Sequence, residues 1–311
     1  MIKNWQDVLA DAPVADDFFE GFQEALIEVP EGHVFCRMKG DGPPLLLLHG
    51  YPQTSAMWHR IAPRLAESYR VICPDLRGYG RSSKPASAPD HASYSKRAMA
   101  GDLLAMMDVL GHKRFLVGSH DRGARVGHRM AADHPERVAA LAILDIAPTR
   151  EMYAHAGSGF AADYWHWYWL IRPAPIPETA IGFDPRGFWI SKLLSSSVFR
   201  APFARQALAE YLDAFDDPEV IRASCEDYRA AYSIDIAHDD AEPGPMRVSL
   251  HALWGAKGAI ERHFDCLALW RERAAHVEGH SLPGGHFLAE ELPGAVLDAW
   301  LPFFAKARLE A

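Results

Sequence analysis

The chain has little cysteine, no surplus of positive charge and no long apolar run. Its four cysteines, Cys36, Cys73, Cys225 and Cys266, are scattered over 311 residues with no C-x-x-C pair. That excludes a zinc framework and a dense disulfide scaffold. Lys plus Arg number 32 against 41 Asp plus Glu, a net charge of −9. Phosphate backbones select a broad basic field, so nucleic-acid binding is not expected. An anionic substrate would have to be attracted by local cations. No stretch approaches ~18 consecutive apolar residues, so no membrane span is expected. The N-terminus lacks the uninterrupted apolar segment of a signal peptide, and a cytoplasmic location is the expectation.

What is present suits a large folded core: 49% of residues are apolar and 23% charged. The length allows two units, or one α/β domain with an insertion. Short apolar runs end in turn residues: Leu45–Leu48 at His49-Gly50, Val71–Cys73 at Pro74-Asp75, Phe115–Val117 at Gly118, Leu141–Leu144 at Asp145, and Leu250–Trp254 at Gly255. Such runs read as buried parallel strands. Helical spacing lies between them, at Met99, Leu103, Met106 and Leu110 before Gly111, over Gly123–His134, and over Leu292–Ala307. The alternation predicts a mostly parallel, doubly wound α/β sheet, with ligands beyond the C-terminal strand ends.

The alternation stops between residues 148 and 243. That stretch is rich in Pro and aromatics, including Tyr164 to Trp169, and has helical patterns over Phe203–Phe215 and Pro218–Tyr232. It reads as a helical cap inserted after the sixth strand. The core is then 22–147 and 244–311, and residues 1–21 form an N-terminal extension.

The central motif is Gly118-Ser119-His120-Asp121-Arg122-Gly123, after an apolar strand and before a helix. Small residues two before and two after a reactive residue allow the sharp turn called a nucleophile elbow. Ser is its usual occupant; here it is Asp121, and a carboxylate nucleophile attacks carbon to leave an ester on the protein. The competing reading is a helix cap, a common role for Asp. His49-Gly50-Tyr51-Pro52 sits where this fold supplies one oxyanion donor, which makes the backbone N–H groups of Tyr51 and Arg122 the candidates. His286, in Gly284-Gly285-His286-Phe287, is one of 16 histidines, so its place late in the chain, between the last strand and the last helix, carries the argument. For the acid, Asp145 at a strand end is preferred over Glu261 and Asp265.

Arg122 and Arg125 flank the elbow on one helix face, where the macrodipole would favour acids. Two guanidiniums there can clamp a carboxylate; the competing reading is a surface salt-bridge network. His166, Trp167 and Tyr228 carry N–H or O–H donors in the cap, suited either to an anion or to the cap's own core.

These motifs, Asp121-Arg122-x-x-Arg125 with His49–Gln53, Trp165–Tyr168, Cys225–Arg229 and Gly285–Phe287, resemble the fluoroacetate dehalogenases, α/β-hydrolase enzymes with a helical cap. The likeness runs from about residue 22 to the C-terminus. It implies Asp121 as nucleophile, His286 as base and Asp145 as its acid. Arg122 and Arg125 would hold the substrate carboxylate, and His166, Trp167 and Tyr228 the halide. It further implies a small haloacid substrate, no metal or organic cofactor, and a homodimer. Tyr51 departs from the Phe common in that family, and the N-terminal extension matches nothing in it. Two other readings share these residues: an epoxide hydrolase, in which the arginine pair has no role, and a non-catalytic binding protein of the same fold.

Overall fold

The computed structural model describes residues 4–155, 157–199, 202–242 and 244–309. The apolar runs do form strands: β3 Pro44–Leu48, β4 Arg70–Pro74, β5 Phe115–His120, β6 Val138–Leu144 and β7 Ser249–Gly255. Three more complete the sheet: β1 Gln23–Val29, β2 Gly32–Lys39 and β8 Val277–Leu282. The order is β1-β2-β4-β3-β5-β6-β7-β8. β2 pairs antiparallel with β1 and β4, and every pair from β4 to β8 is parallel. Parallel strands are covered on both faces, which is why these runs do not alternate. Leu45 to Leu48 are each fully buried, a contribution of ~1.5–3 kcal/mol per side chain.

The register decides where polar residues fall. Leu48 pairs with Ser119, His120 with Leu144, and Leu144 with Leu253. The residues just beyond these pairs, His49-Gly50, Asp121, Asp145 and Gly255, therefore lie along one edge of the sheet. Among the described residues, eight helices lie between β6 and β7, from Thr149–Ala154 to Ile234–Asp240; together they form what we call the cap.

The N-terminal stretch is not loose. Its helix Trp5–Asp11 is capped by Asn4. Arg205 N–H donates to the Pro13 carbonyl at 2.7 Å, and Gln206 bonds both Ala15 N–H and Ala15 O. The segment is thereby tied to the cap helix Arg205–Phe215. No described helix is long and apolar enough to cross a membrane.

Candidate active site

β5 runs directly into the helix Asp121–Asp133, and Asp121 at the junction has φ +45°. A non-glycine residue in this left-handed region stores of the order of 1–3 kcal/mol, and such strain clusters at functional sites. The turn is possible because its neighbours are small. A Cβ on Gly123 would collide with the Leu48 and His49 carbonyl oxygens, and one on Gly50 would collide with the Asp121 Cβ. Asp121 does not cap its helix: the N-cap position is His120, with no side-chain cap bond. Its Oδ1 instead accepts from Tyr51 N–H at 3.0 Å.

Asp121 Oδ2 lies 3.8 Å from His286 Nε2, too long for a direct hydrogen bond and within reach of a bridging water. His286 Nδ1 meets Asp145 Oδ2 at 2.6 Å. Asp145 Oδ1 accepts from Gly255 N–H at 2.9 Å, so both oxygens of this buried carboxylate are held. The other acids face elsewhere. Glu261 accepts from Trp254 Nε1, and Asp265 caps the helix Cys266–Arg273. Burial pushes the Asp121 carboxyl up. His286, His120, Arg125 and Arg122 more than offset it and hold the group below its usual range.

The two arginines are buried, so they are not a surface network. Their donors are largely committed. Arg122 Nε and Nη2 grip the Asp227 carboxylate, Nη2 also meets the Asp227 carbonyl, and Nη1 has no partner among the described residues. Arg125 Nη1 donates to the Ala147 carbonyl and Thr149 Oγ1, while Nε has no partner. Arg122 lies 4.3 Å over the Tyr228 ring and Arg125 4.7 Å over Trp167. Arg125 Nη2 meets Met152 Sδ, so an open, forked clamp formed by both is not what the side chains present; each keeps one nitrogen without a partner among the described residues.

A cavity of about 130 Å³ opens over Asp121. Tyr51, Asp121, Asp145 and His286 line it from the sheet, and Tyr164, His166, Lys192 and Tyr228 from the cap. Trp167, Arg122 and Arg125 stand behind this wall. Among the described residues, His166 Nδ1, Trp167 Nε1 and the Tyr51 and Tyr228 hydroxyls are buried without a hydrogen-bond partner. Such atoms are rare in native proteins and need a reason. Burial, then Lys192, His286 and Arg122, push His166 well below its ordinary value, so it stays neutral.

Three residues of this assembly were not singled out from sequence. Asp227, on the cap helix Pro218–Tyr232, binds Arg122, Lys96 and the Tyr79 hydroxyl. Lys96 reaches it from the helix Lys96–Val109. Lys192 lines the cavity from the helix Pro185–Ser196. The signal for Lys192 was its spacing: it shares the buried face of its helix with Trp189 and Leu193. Away from the cavity, His128, Asp239 and Glu242 bring possible metal-ligand atoms within 4.8 Å of one another. Arg129 already holds both carboxylates, and Arg273 also bonds Glu242.

With strain at Asp121, a histidine beside it and an acid behind that histidine, the geometry matches one known architecture. A family model for the alpha/beta hydrolase fold matches residues 43–169. A fluoroacetate dehalogenase from Burkholderia sp is 45% identical over 293 residues, 93% of this chain and 96% of that protein. The chain belongs to the α/β-hydrolase family. Other members are also similar. A soluble epoxide hydrolase from Corynebacterium sp. (strain C12) is 32% identical, over 86% of this chain and 92% of its own. The crystal structure of an α/β hydrolase from Nostoc sp PCC 7120 is 49% identical, covers 93% of this chain and 99% of its own, and superposes with a TM-score of 0.92. This α/β hydrolase therefore has one full-length relative named for dehalogenation and another named for epoxide opening, and the pocket must separate them.

Proposed function

We propose that the protein is a hydrolytic dehalogenase of haloacetates, acting through an ester on Asp121. The observation that carries this reading is a carboxylate at the elbow, in reach of His286, in a cavity walled by buried donors and the buried cation Lys192, with Arg122 and Arg125 behind. Close likeness to a fluoroacetate dehalogenase along nearly the whole chain supports it.

The geometry suggests a division of labour between the two oxygens of Asp121. Oδ1 is held by Tyr51 N–H and becomes the ester carbonyl oxygen. Oδ2 is free to attack the carbon bearing the halogen. The new C–O bond forms as the C–halogen bond breaks, and halide leaves with the electron pair. Fixing carboxylate and carbon in line can lower the barrier by ~7–11 kcal/mol. From behind the cavity lining, the unpartnered Nη1 of Arg122 and Nε of Arg125 would reach the seated substrate carboxylate, while His166 and Tyr228 on the lining, with Trp167 behind them, donate to the halide. His286, oriented by Asp145, then takes a proton from water, which attacks the ester carbonyl. Tyr51 N–H and Arg122 N–H stabilise the oxyanion. The products are glycolate, halide and a proton.

An epoxide hydrolase would use the same Asp121 and His286. It would need tyrosine hydroxyls for the epoxide oxygen, and the unpartnered hydroxyls of Tyr51 and Tyr228 keep that reading in view. The deciding experiment measures halide release from fluoroacetate and chloroacetate beside diol formation from styrene oxide. Dehalogenation without diol formation is expected; the reverse would replace this reading. His286→Asn should then accumulate protein heavier by one carboxymethyl group, seen by intact mass. Unmodified protein after incubation with an active substrate would remove the ester or the base assignment.

A further inference from the structure

Lys192 is the cation that the mechanism above leaves without a task. It is 7% exposed and lines the cavity. Its ammonium makes one hydrogen bond, to Ser196 Oγ at 2.9 Å, and no ion pair with it is found among the described residues. Two of its three donors are thus uncommitted. Burying a charge without a partner is costly, and proteins seldom keep one without a use.

The charges around the cavity show what the use would be. Arg122 and Lys96 are matched by Asp227 and Asp235, so that cluster is close to neutral. Among the buried charges, what remains is Asp121 and Asp145 against Arg125 and Lys192; at the exposed rim of the cavity Arg262 pairs with Asp163, and Lys257 adds a solvent-exposed cation. With Lys192 the buried set is balanced before any ligand arrives. Without it the buried part of the site would carry a net negative charge, which the solvent-screened Lys257 at the rim offsets only weakly. Displacement of halide does not relieve this, because one anion is consumed at Asp121 as another is released. The cation is therefore needed throughout the reaction and not only at one step. Burial draws the ammonium down to about 8, with Asp121 opposing that shift.

We propose that Lys192 is a specificity-determining residue, the charge-balancing cation that makes this pocket accept small carboxylates over neutral molecules of the same shape. The proposal rests on the haloacetate reading for its substrate, but its binding role can be tested apart from turnover. Lys192 contributes to holding the anion more than to the chemical steps, so its loss acts on KM more than on kcat.

The experiment compares the wild type with Lys192→Met and Lys192→Arg. For chloroacetate, Lys192→Met is expected to raise KM by about 10- to 100-fold, the range for one charge-assisted bond, with kcat within about threefold. Lys192→Arg should recover a large part of the loss. In parallel, calorimetric titration follows acetate and acetamide, which share a shape and differ in charge. Acetate should weaken with KM in Lys192→Met, and acetamide should not. An unchanged acetate affinity, or an equal loss for acetamide, would overturn the proposal. If Lys192→Met does not fold, Lys192→Gln is judged by the same two titrations. If the wild type releases no halide from either haloacetate, the function proposed above fails, and Lys192 is decided by the acetate and acetamide titrations alone.

Discussion

On the sheet side of the cavity, Asp121 Oδ1 accepts from Tyr51 N–H, and both oxygens of Asp145 are taken, by Gly255 N–H and His286. On the cap side, His166 Nδ1, Trp167 Nε1 and the Tyr228 hydroxyl are equally buried and have no partner. The sheet wall is fixed by backbone geometry at strand ends. The cap wall is made of side-chain tips on helices whose backbones are already satisfied. A wall whose carboxylates are held by backbone N–H groups is pre-organised and need not move during reaction. An unbonded wall gains most when a ligand arrives, because each buried donor otherwise remains desolvated without compensation. The contrast separates chemistry, set by the sheet, from selection, set by the cap. It also fits relatives named for different reactions on one frame.

The largest expected effect lies on the sheet wall. Asp121→Ala removes the oxygen proposed to attack, and halide release should fall by about 10⁴-fold or more. Binding of acetate should persist, since the cap wall and Lys192 are untouched. A steady-state rate assay with an acetate titration checks both halves. Residual turnover within about tenfold of wild type would mean that the chemistry is not built on the strand end.

Asp227 joins the two walls, since it sits on a cap helix and grips Arg122 on the elbow helix. Arg122 and Lys96 hold its carboxyl far below the usual range, against the upward push of burial. Asp227→Asn would leave Arg122 buried without its counter-charge and Lys96 with Asp235 alone, at 3.6 Å. Breaking a buried pair in this way costs ~3–5 kcal/mol. Denaturant titration should show that loss, together with a raised KM for haloacetate as Arg122 loses its aim. A stability change below about 1 kcal/mol, the range of exposed pairs, would show that the walls are not joined there.

Strand-end positions were legible because apolar runs stop abruptly, and register aligns the stops. β1 and β2 were not read: β1 is mostly exposed and has no apolar run, and it joins the sheet through antiparallel pairing. β8 was hidden likewise by its half-exposed pattern. In the cap, the helices between Thr149 and Ser196 are short and rich in aromatic residues and Pro, so no single period stands out. The order Asp121, Asp145, His286 could be proposed from sequence, because each follows a strand. The Lys96, Arg122 and Asp227 cluster could not, because its members come from helices more than a hundred residues apart in two of its three pairings. Sequence placed Arg122 and Arg125 beside the elbow but could not show which of their N–H groups the fold had already used.

The pH profile sharpens the contrast at a smaller scale. Lys192 titrates at about 8, so its cation is present below that pH and lost above it. Wild-type kcat/KM for chloroacetate should therefore fall as pH rises through about 8. Four buried neighbours lie outside this range. His166 is pushed well below its ordinary value, chiefly by burial, and burial raises Tyr51, Tyr164 and Tyr228 well above theirs. Asp121 remains ionised, held low despite its burial. Lys192→Met, with nothing to lose, should lack the descending limb. An identical limb in the variant would assign it to another group.

The smallest expected effect is at Tyr51, which belongs to both walls. Its backbone N–H holds Asp121, while its ring lies parallel to His166 at 6.2 Å and edge-on to Trp189 and Tyr228. Tyr51→Phe keeps the backbone donor and the ring and removes only a buried, unpartnered hydroxyl. An unsatisfied hydroxyl costs ~1–3 kcal/mol, part of which its removal should restore as stability. If the hydroxyl is only packing, kcat/KM for both fluoroacetate and chloroacetate should stay within about threefold of wild type. The vacated space should admit a slightly larger haloacid, such as 2-chloropropionate, more readily. A fall confined to fluoroacetate would instead assign the hydroxyl to the halide, because fluoride is the strongest hydrogen-bond acceptor among the leaving ions. In that case one side chain would serve chemistry through its backbone and selection through its tip, and the division between the walls would run through Tyr51 itself.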